Sequence, residues 1–466
     1  MQIDVLRQSF SGRLYTSATD MEPFLTDWRK KWKGDALAVV QPDTTEDVAA
    51  IVRLCHQQGV PVVPQGGNTG LSGGATPDNS KSAILLSLAR LKRIRSIDIE
   101  NNSLVAEAGV ILEEIHQAAS KVNRLFPLKL ASQGSCTIGG NLATNAGGIQ
   151  VLRYGNTREL CLGVEVVTPE GEIWNGLCEL RKNNTGYSLR DLYIGSEGTL
   201  GIITAAAIKL FPIPTTTLLG ILSVPTPEAA LHLLHLSQGN FGAELTAFEI
   251  MSDFSVSLVE KNIPDRRLPL TERGDWYVFL EISSLYNEEQ VRAAFEQLLE
   301  RGMEAELIRD GLICQNMSQF TKMWAIREDI AEAQVIEGKS IKHDISVPLS
   351  KIAACIDAVT QQVEQRYPAL RQVVYGHIGD GNLHYNFCPA ASEYAADFMQ
   401  LEAEINRQVH DIVDQCAGSI SAEHGLGVLR RDEAARYKSA TEIKLMSAIK
   451  KALDPHSMMN PGKVLR

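Results

Sequence analysis

At roughly 100 to 200 residues per domain, the chain of 466 residues is long enough for two or three domains with their own hydrophobic cores. Hydrophobic residues make up 44% of the sequence and charged residues 22%, which excludes a disordered, collagen-like or low-complexity protein. The net charge of -11 argues against a general nucleic-acid-binding protein, because such proteins neutralise phosphates with clustered basic residues. The composition therefore predicts a globular protein of the size of an enzyme.

The eight cysteines are spread along the chain without a CxxC motif, which is typical of a reducing compartment. Residues 1–21 lack the apolar core of a signal peptide, and no uncharged apolar run reaches the roughly 18 residues of a membrane-spanning helix. We therefore expect a soluble, cytoplasmic protein that is not transmembrane.

Helices alternate with short strands in the first half of the chain. Residues 44–47 have the pattern of a capping box, and apolar residues spaced three and four apart predict a helix from there to Gly59. Short strands, the last four forming two hairpins, are predicted over residues 60–63, 83–88, 94–99, 104–106, 164–168 and 172–174.

A domain boundary is predicted near Pro214. Residues 211–227 contain four prolines and three consecutive threonines, which interrupt the pattern of strands. Beyond them, a helix over 229–236, a strand over 276–282 and a helix over 288–301 predict a different α+β unit. The expected domains are residues 1–213, with a core of about 35–213, then residues 214–415, and a C-terminal segment, 416–466, that closes the active site.

Two segments are unusually rich in glycine. Ten of the 36 glycines lie in PQGGNTGLSGGAT at 64–76 and ASQGSCTIGGNLATNAGG at 131–148. Because glycine lacks a Cβ atom, several backbone N–H groups of a glycine-rich loop can converge on an anion. Both loops are therefore candidates for binding a diphosphate. Two ordinary tight turns are the alternative interpretation.

The common nucleotide-binding motifs are missing from the sequence. Neither glycine-rich loop contains GxGxxG, the motif of dinucleotide binding in Rossmann folds. The sequence around Lys339 fails the Walker pattern because Ala333 stands where the first glycine is required. Neither NAD nor ATP is therefore the expected ligand.

A pair of histidines lies in the segment VVYGHIGDGNLHYNF. If GDGN is the turn of a hairpin, His377 lies directly opposite His384, and Tyr375 and Asn386 share their face. Side chains that face each other across two strands are close enough for both imidazoles to bind one metal ion. Alternatively, the two histidines only pack or form hydrogen bonds in the sheet.

A third ligand is available in the segment SAEHGLG, where Glu423 and His424 precede glycines that allow a close approach of the loop. Two histidines and one carboxylate are a set typical of catalytic zinc, because they leave one coordination position open.

Three segments closely resemble the FAD-binding domain of the vanillyl-alcohol oxidase and p-cresol methylhydroxylase superfamily: VVPQGGNTGLSGGATP, ASQGSCTIGGNLATNAGG and YIGSEGTLGIIT. The resemblance covers roughly residues 35–213 and implies an α+β fold with a two-part FAD-binding domain. Several members attach FAD to a histidine after a Gly-Gly pair, and Asn68 stands at that position here, which implies noncovalent FAD. The FAD-binding residues that the resemblance implies are Pro64, Gly66, Gly67, Asn68, Thr69, Gly70, Gly73, Gly74, Ser132, Gly134, Ser135, Thr137, Gly139, Gly140, Asn141, Thr144, Asn145, Gly147, Gly148, Gly198, Gly201, Ile203 and Asn460.

The segments GHIGDGNLHYN, AEHGLG and LDPHSMMNPGKVL resemble the C-terminal half of the FAD-linked 2-hydroxy acid dehydrogenases, most of all those that act on D-2-hydroxyglutarate. The resemblance implies a divalent metal, such as zinc, bound by His377, His384 and Glu423. It also implies substrate contacts by Arg327, Lys342, Asn386 and His424, with His424 as the general base. Ala331 replaces a threonine that these enzymes have one helical turn after the arginine. This replacement weakens the expectation that the protein recognises a distal carboxylate of the substrate.

The function that this resemblance implies is oxidation of a D-2-hydroxy acid, D-2-hydroxyglutarate or D-malate, by hydride transfer to flavin N5. D-Lactate and glycolate are alternative substrates. A flavin-dependent transferase similar to alkyldihydroxyacetonephosphate synthase and a zinc hydrolase with incidental glycine loops are alternatives of other classes. The electrons are expected to pass to an electron-transfer flavoprotein or a quinone. A homodimer is one possible assembly of the chain.

Overall fold

The computed structural model describes residues 3–390 and 397–466. The chain divides into two units, each assembled from separate segments. The first unit contains Met1–Gly148, Gly155–Ile213 and Glu423–Arg466, and the second contains Ile149–Tyr154 and Pro214–Ala422. Both mix helices with largely antiparallel sheets, so the predicted α+β class is confirmed.

The elements up to residue 213 are, in chain order, α1 (Ile3–Gln8), β1 (Gly12–Tyr15), α2 (Ala18–Leu25), β2 (Ala38–Pro42), α3 (Thr45–Gln58), β3 (Val62–Gln65), β4 (Ile84–Ser87), β5 (Ile94–Asp98), β6 (Ser103–Glu107), α4 (Leu112–Lys121), β7 (Arg124–Leu125), α5 (Ile138–Thr144), α6 (Val151–Tyr154), α7 (Thr157–Leu160), β8 (Cys161–Val167), β9 (Ile173–Gly176), α8 (Leu189–Tyr193), β10 (Ile202–Lys209) and β11 (Phe211–Pro212).

The elements of the remaining described residues are β12 (Thr216–Val224), α9 (Pro227–Phe241), β13 (Leu245–Ser252), α10 (Asp253–Asn262), β14 (Trp276–Ser284), α11 (Glu288–Glu304), β15 (Asp310–Ile313), α12 (Met317–Glu328), α13 (Ile330–Glu337), β16 (Asp344–Ser346), α14 (Ile352–Arg366), β17 (Leu370–Gly376), β18 (Asn382–Pro389), α15 (Glu402–Gln415), α16 (Arg431–Tyr437) and α17 (Ala440–Leu453). Short 3-10 helices cover Gly242–Glu244, Leu349–Lys351, Ile378–Asp380 and Phe398–Leu401.

Two main sheets build the first unit. One has the order β1-β2-β4-β3, in which β2, β4 and β3 are parallel, and the other has the antiparallel order β5-β6-β10-β8-β9. Parallel strands need a crossover connection, and α3 supplies the one between β2 and β3. The Thr44 side chain caps α3, and Gly59 ends it in the left-handed conformation at φ 64°. The predicted helix and the predicted short strands of this region are confirmed, with some bounds shifted by a few residues.

The last residues of the chain pack along β3. The N–H of Val62 donates to the carbonyl oxygen of Met458 at 2.8 Å, and the N–H of Asn460 donates to Val62 at 2.8 Å. The Lys463 ammonium donates to the carbonyl oxygen of Thr76 at 2.7 Å. The C-terminal segment is therefore fastened to the strand that leads into the first glycine-rich loop.

A seven-stranded antiparallel sheet with the order β15-β12-β14-β13-β17-β18-β16 forms the centre of the second unit. One face packs against α11, where a Cβ atom at Gly220 of β12 would lie 2.5 Å from the ring of Phe295. The opposite face, which carries Leu219 and Phe279, packs against α10, α12 and α13. The predicted helices and strand of this unit correspond to α9, β14 and α11 and are confirmed.

All eight cysteines are free thiols. In the parts of the chain that the structure describes, every helix is too short or too polar to cross a lipid bilayer.

Candidate active site

A cleft in the first unit is lined by both glycine-rich loops. It contains about 940 Å³ of space between the protein atoms, part of it open to solvent. The predicted FAD-binding residues that line it are Pro64, Gly66, Gly67, Asn68, Thr69, Gly70, Gly74, Thr137, Gly139, Gly140, Asn141, Thr144, Gly198, Gly201 and Ile203. The predicted residues outside this lining are Gly73, Ser132, Gly134, Ser135, Asn145, Gly147, Gly148 and Asn460.

The two glycine-rich loops contact each other at backbone distance. A Cβ atom at Gly67 would lie 2.2 Å from the carbonyl oxygen of Ser135, and one at Gly66 would lie 2.6 Å from Thr137 Oγ1. Side chains at these positions would force the loops apart. The glycines are therefore required for the shape of the cleft, as well as for exposing its backbone N–H groups.

Several buried polar atoms near this cleft have no hydrogen-bond partner among the described residues. Two of them, Thr137 Oγ1 and Asn141 Oδ1, belong to residues that line the cleft. An unpaired buried polar atom costs about 1 to 3 kcal/mol, so these atoms favour a polar ligand that pairs with them. A dinucleotide with a diphosphate and sugar hydroxyls fits this set of donors and acceptors.

Asn68 is held in a fixed orientation at the edge of the cleft. Its backbone is in the left-handed region at φ 53°, which asparagine tolerates better than most residues. Its side-chain Nδ2 donates to the carbonyl oxygen of Thr26 at 2.9 Å. The side chain at this position is thus an amide that is hydrogen-bonded to the protein. It is not the imidazole that a covalent bond to the flavin would require.

His424 also lines the cleft, on a loop that is tied to the rest of the first unit. The hydroxyl of Ser72 donates to the carbonyl oxygen of His424 at 3.1 Å. The N–H groups of Leu426 and Gly427 donate to the two carboxylate oxygens of Glu197 at 2.7 and 2.9 Å. Burial raises the pKa of the Glu197 carboxyl. These bonds fix the backbone at His424 and at the residues that follow it.

Sequence reasoning missed Glu197 and Ser72 as residues that position this loop. Glu197 has a positive φ of 52° between glycines in YIGSEGTLG, which marks a tight backbone turn. Its carbonyl oxygen accepts a hydrogen bond from Asn460 Nδ2 at 2.8 Å. Asn460 therefore acts on the loops of the cleft through Glu197, although it does not line the cleft itself.

The predicted register of the histidine hairpin in the second unit is wrong. His384 on β18 lies opposite Tyr375 on β17, whereas His377 follows the end of β17. The turn is longer than predicted because Ile378–Asp380 forms a 3-10 helix, and the His377 carbonyl oxygen accepts from the N–H groups of both Asp380 and Asn382. The two imidazoles are nevertheless neighbours, with ring centroids 6.1 Å apart.

A buried carboxylate that sequence reasoning missed contacts His377. Glu249 on β13 has no exposed surface, and its Oε1 accepts a hydrogen bond from His377 Nδ1. Its Oε2 accepts from Arg327 Nε at 2.7 Å. Burial alone would raise the pKa of Glu249, but its contacts with His377 and Arg327 lower it to about 2. The only sequence signal was a glutamate in the otherwise apolar run LTAFEIM.

Arg327 is buried at the end of α12. Only 7% of the residue is exposed, and its guanidinium carbon lies 4.7 Å from the centre of the Tyr375 ring. The ion pair with Glu249 therefore replaces the surface ion pair with Glu328 or Glu332 that a helical arginine would otherwise form. Ala331, on the next helix, is exposed.

Asn386 and Lys342 lie in the same unit. The Asn386 amide accepts from the N–H of His343 at 3.0 Å and donates to Gln334 Oε1 at 3.0 Å. Lys342 is half-buried just before β16. The Asn386 side chain thus holds two neighbouring segments together, and its contact with substrate stays a prediction.

Glu423 is the first residue of the last segment of the first unit. The residue before it, Ala422, belongs to the second unit and donates its N–H to the carbonyl oxygen of Asp344 at 3.2 Å. Asp344 Oδ1 in turn lies 4.0 Å from His384 Nδ1. Within the first unit, Glu423 Oε1 lies 3.7 Å from His424 Nε2.

Comparison with known proteins identifies the family. Residues 36–176 match the family described as "FAD binding domain", and residues 213–464 match the one described as "FAD linked oxidases, C-terminal domain". The chain therefore belongs to the FAD-linked oxidase family. The prediction that the glycine-rich loops are part of an FAD-binding domain is confirmed, and the protein is an FAD-dependent oxidoreductase.

Similar proteins cover nearly the whole chain. D-2-hydroxyglutarate dehydrogenase of Xanthomonas citri pv. viticola is 38% identical over 97% of this chain and 94% of its own length. The mitochondrial D-2-hydroxyglutarate dehydrogenase of Bos taurus is 37% identical over 99% of this chain and 82% of its own length. Among solved structures, substrate-bound p-cresol methylhydroxylase has a TM-score of 0.73 at 16% identity and covers 97% of this chain and 93% of its own. This likeness confirms the predicted type of fold.

We predict that Gly67→Ala weakens FAD binding. The added Cβ atom would meet the Ser135 carbonyl oxygen, and such overpacking costs about 1 to 3 kcal/mol, or roughly 5- to 150-fold in affinity. Flavin fluorescence titration of the apoprotein measures the loss. Gly239→Ala on α9, where a Cβ atom meets nothing within 4 Å, is the matched control. Unchanged affinity in Gly67→Ala would contradict the role assigned to the loop contact.

Proposed function

We propose that this protein is an FAD-dependent dehydrogenase that oxidises a D-2-hydroxy acid to the 2-oxo acid, with D-2-hydroxyglutarate as the preferred substrate and D-malate next. The observation that carries the proposal is the 38% identity to a D-2-hydroxyglutarate dehydrogenase over 97% of this chain and 94% of that protein. The buried Arg327 and the half-buried Lys342 supply cationic groups suited to a dicarboxylate.

The redox chemistry belongs to the cofactor. Bound FAD supplies the acceptor for the hydride that leaves C2 of the substrate. The chain's own residues hold the cofactor without a covalent bond, through the loops around Gly67 and Thr137. In this proposal the first glycine-rich loop contributes no side chain that forms a bond to the flavin ring, because Asn68 occupies the position of the tether.

His424 is the proposed general base. Its imidazole takes the proton of the C2 hydroxyl, and the bonds from Ser72 and to Glu197 keep its loop in place while the proton moves. Lys342 and Arg327 bind substrate carboxylates, and Asn386 is a further proposed contact. The carboxylate of Glu423, 3.7 Å from His424, stabilises the protonated imidazole.

A divalent metal, zinc in the first instance, is proposed at His377, His384 and Glu423. The donor set fits, because the Nδ1 atom of His377 is engaged by Glu249, and a histidine held in this way presents Nε2 to a metal. Bound there, the ion would act as a Lewis acid toward the hydroxyl and carboxylate of the substrate.

The proposal extends to domains, partners and location. Residues 1–213 bind FAD, residues 214–415 bind substrate and metal, and residues 416–466 close the active site. The reduced flavin passes its electrons to an electron-transfer flavoprotein or a quinone. The free thiols support a cytoplasmic location, because reducing compartments keep cysteines unpaired.

Noncovalent FAD is the first testable consequence of the proposal. Because Asn68 replaces the histidine of the tether, acid precipitation should release all of the yellow colour into the supernatant. Absorbance of the supernatant and of the redissolved pellet measures the partition. Flavin that stays with the protein pellet would show a covalent bond elsewhere in the chain.

We predict that activity depends on the proposed metal. Chelation, or His384→Ala, should abolish turnover with a dye acceptor while FAD remains bound, because the flavin loops and the two histidines lie in different units. Metal analysis and flavin absorbance are measured on the same sample. The control is His235→Ala, an exposed histidine of α9. Normal kcat and normal metal content in His384→Ala would reject the assignment.

We predict that dicarboxylic D-hydroxy acids are better substrates than D-lactate. A charge-assisted hydrogen bond to the distal carboxylate is worth about 1.5 to 3 kcal/mol, or roughly 10- to 150-fold in kcat/KM. Lys342→Ala should remove this advantage, whereas Lys322→Ala, an exposed lysine of α12, should not. Dye reduction by D-2-hydroxyglutarate, D-malate and D-lactate is the assay. A preference of the wild type for D-lactate would refute the proposed substrate class. No dye reduction with any of the three acids would refute the proposed dehydrogenase activity.

A further inference from the structure

Glu249 occupies a position that is unusual for a carboxylate. It lies on β13, one of the inner strands of the seven-stranded sheet, and it has no exposed surface. A buried carboxylate loses its hydration, so it is retained only where cations or hydrogen-bond donors replace the water. The identity of those partners therefore indicates what the carboxylate is for.

Each oxygen of Glu249 has a different partner. Oε2 accepts from Arg327 Nε at 2.7 Å, and Oε1 accepts from His377 Nδ1. The partners come from separate parts of the second unit, the end of α12 and the turn after β17. One carboxylate thus connects a residue proposed to bind the metal with a residue proposed to bind the substrate.

The sheet register brings Glu249 and His377 together. β13 pairs with β17 through Ile250 opposite Gly376 and Met251 opposite Tyr375. Glu249, on β13, and His377, the residue after β17, are the next residues beyond these paired positions. The carboxylate can therefore reach the imidazole across the gap where the strands separate.

The contact decides which nitrogen of His377 is available to a metal. A proton on Nδ1 is donated to Glu249, so the lone pair lies on Nε2 and the ring cannot rotate without losing the bond. Arg327 is restrained in the same way, because Nε is bound to Glu249 and the guanidinium lies over the Tyr375 ring. Its terminal nitrogens form no hydrogen bond to a residue that the structure describes, so they can bind a substrate carboxylate.

We infer that Glu249 is a positioning residue that orients His377 for the metal and Arg327 for the substrate at the same time. This inference rests on the proposed function. Its consequence is that metal affinity and substrate binding depend on one side chain. Loss of Glu249 should therefore weaken both, whereas loss of Arg327 should raise KM and leave metal affinity nearly unchanged.

The test compares Glu249→Gln and Arg327→Ala with a matched control, Glu281→Gln, which changes another buried carboxylate of the same sheet. Glutamine has an NH₂ donor in place of one of the two carboxylate oxygens, so one of the two donors loses its acceptor. Zinc affinity is measured on FAD-loaded protein by competition with a chromophoric chelator, and KM for D-2-hydroxyglutarate is measured with a dye acceptor. Thermal unfolding and flavin content check that each variant is folded.

We expect zinc affinity to fall by roughly 10- to 100-fold in Glu249→Gln, as for other residues that orient a metal ligand, together with a rise in KM. Glu281→Gln should stay within about twofold of the wild type in zinc affinity, since its Oε1 accepts a hydrogen bond from Gln150, which is not one of the proposed metal ligands. Wild-type zinc affinity in a folded Glu249→Gln protein overturns the inference, whatever its activity.

Two further outcomes separate the inference from the proposed function. If the wild type binds no zinc and His384→Ala leaves metal content unchanged, the metal part of the proposed function fails and the inference fails with it. If the wild type binds zinc but Glu249→Gln does not fold, Glu249→Asp decides. Its shorter side chain keeps the charge but cannot reach both partners, so wild-type zinc affinity in Glu249→Asp overturns the inference and a weakened affinity supports it.

Discussion

The first unit depends on close backbone contact between segments that are far apart in the sequence. A Cβ atom on Gly67 would lie only 2.2 Å from the carbonyl oxygen of Ser135, and a Cβ atom on Gly427 would lie only 2.1 Å from the carbonyl oxygen of Ser72. Three loops therefore meet at distances that exclude side chains. Beside these contacts the cleft is lined by glycines and by short polar residues such as Asn68, Thr69 and Thr137, which is a surface suited to a diphosphate. The shape of the FAD site follows from the absence of side chains as much as from their presence.

A half-buried carboxylate in the first unit and a buried one in the second fix the residues of the proposed chemistry. In the first unit, Glu197 binds two backbone N–H groups of the loop that carries His424. In the second, Glu249 binds His377 and Arg327. A carboxylate in such a place adds less stability than its attraction suggests, because desolvation opposes the gain. Its main effect is to orient its hydrogen-bond partners, because its charge is compensated only when these partners occupy one arrangement.

The sequence predicted the parts that depend on local patterns. The helix after Thr44 was predictable because a capping residue, a periodic apolar face and a terminal glycine all agree. The FAD loops were predictable because glycine density is a compositional signal. The hairpin register was not, because the turn includes a 3-10 helix and the pairing ends at Tyr375 instead of continuing to His377. The alternation of strand residues assigns faces correctly and says nothing about where a turn begins.

Glu249 could not be predicted from the sequence because its partners are distant in the chain. Arg327 follows it by 78 residues and His377 by 128, and no local pattern links such positions. A charged residue in an apolar strand indicates only that something compensates it. The structure shows that Arg327 and His377 compensate the charge of Glu249, and the chemistry of these two partners indicates why the carboxylate is there. An arginine alone would be explained by charge balance. A histidine held through Nδ1 at the same carboxylate is also fixed in orientation, because that contact determines which ring nitrogen faces the other way, and this orientation is the one that the proposed metal site requires.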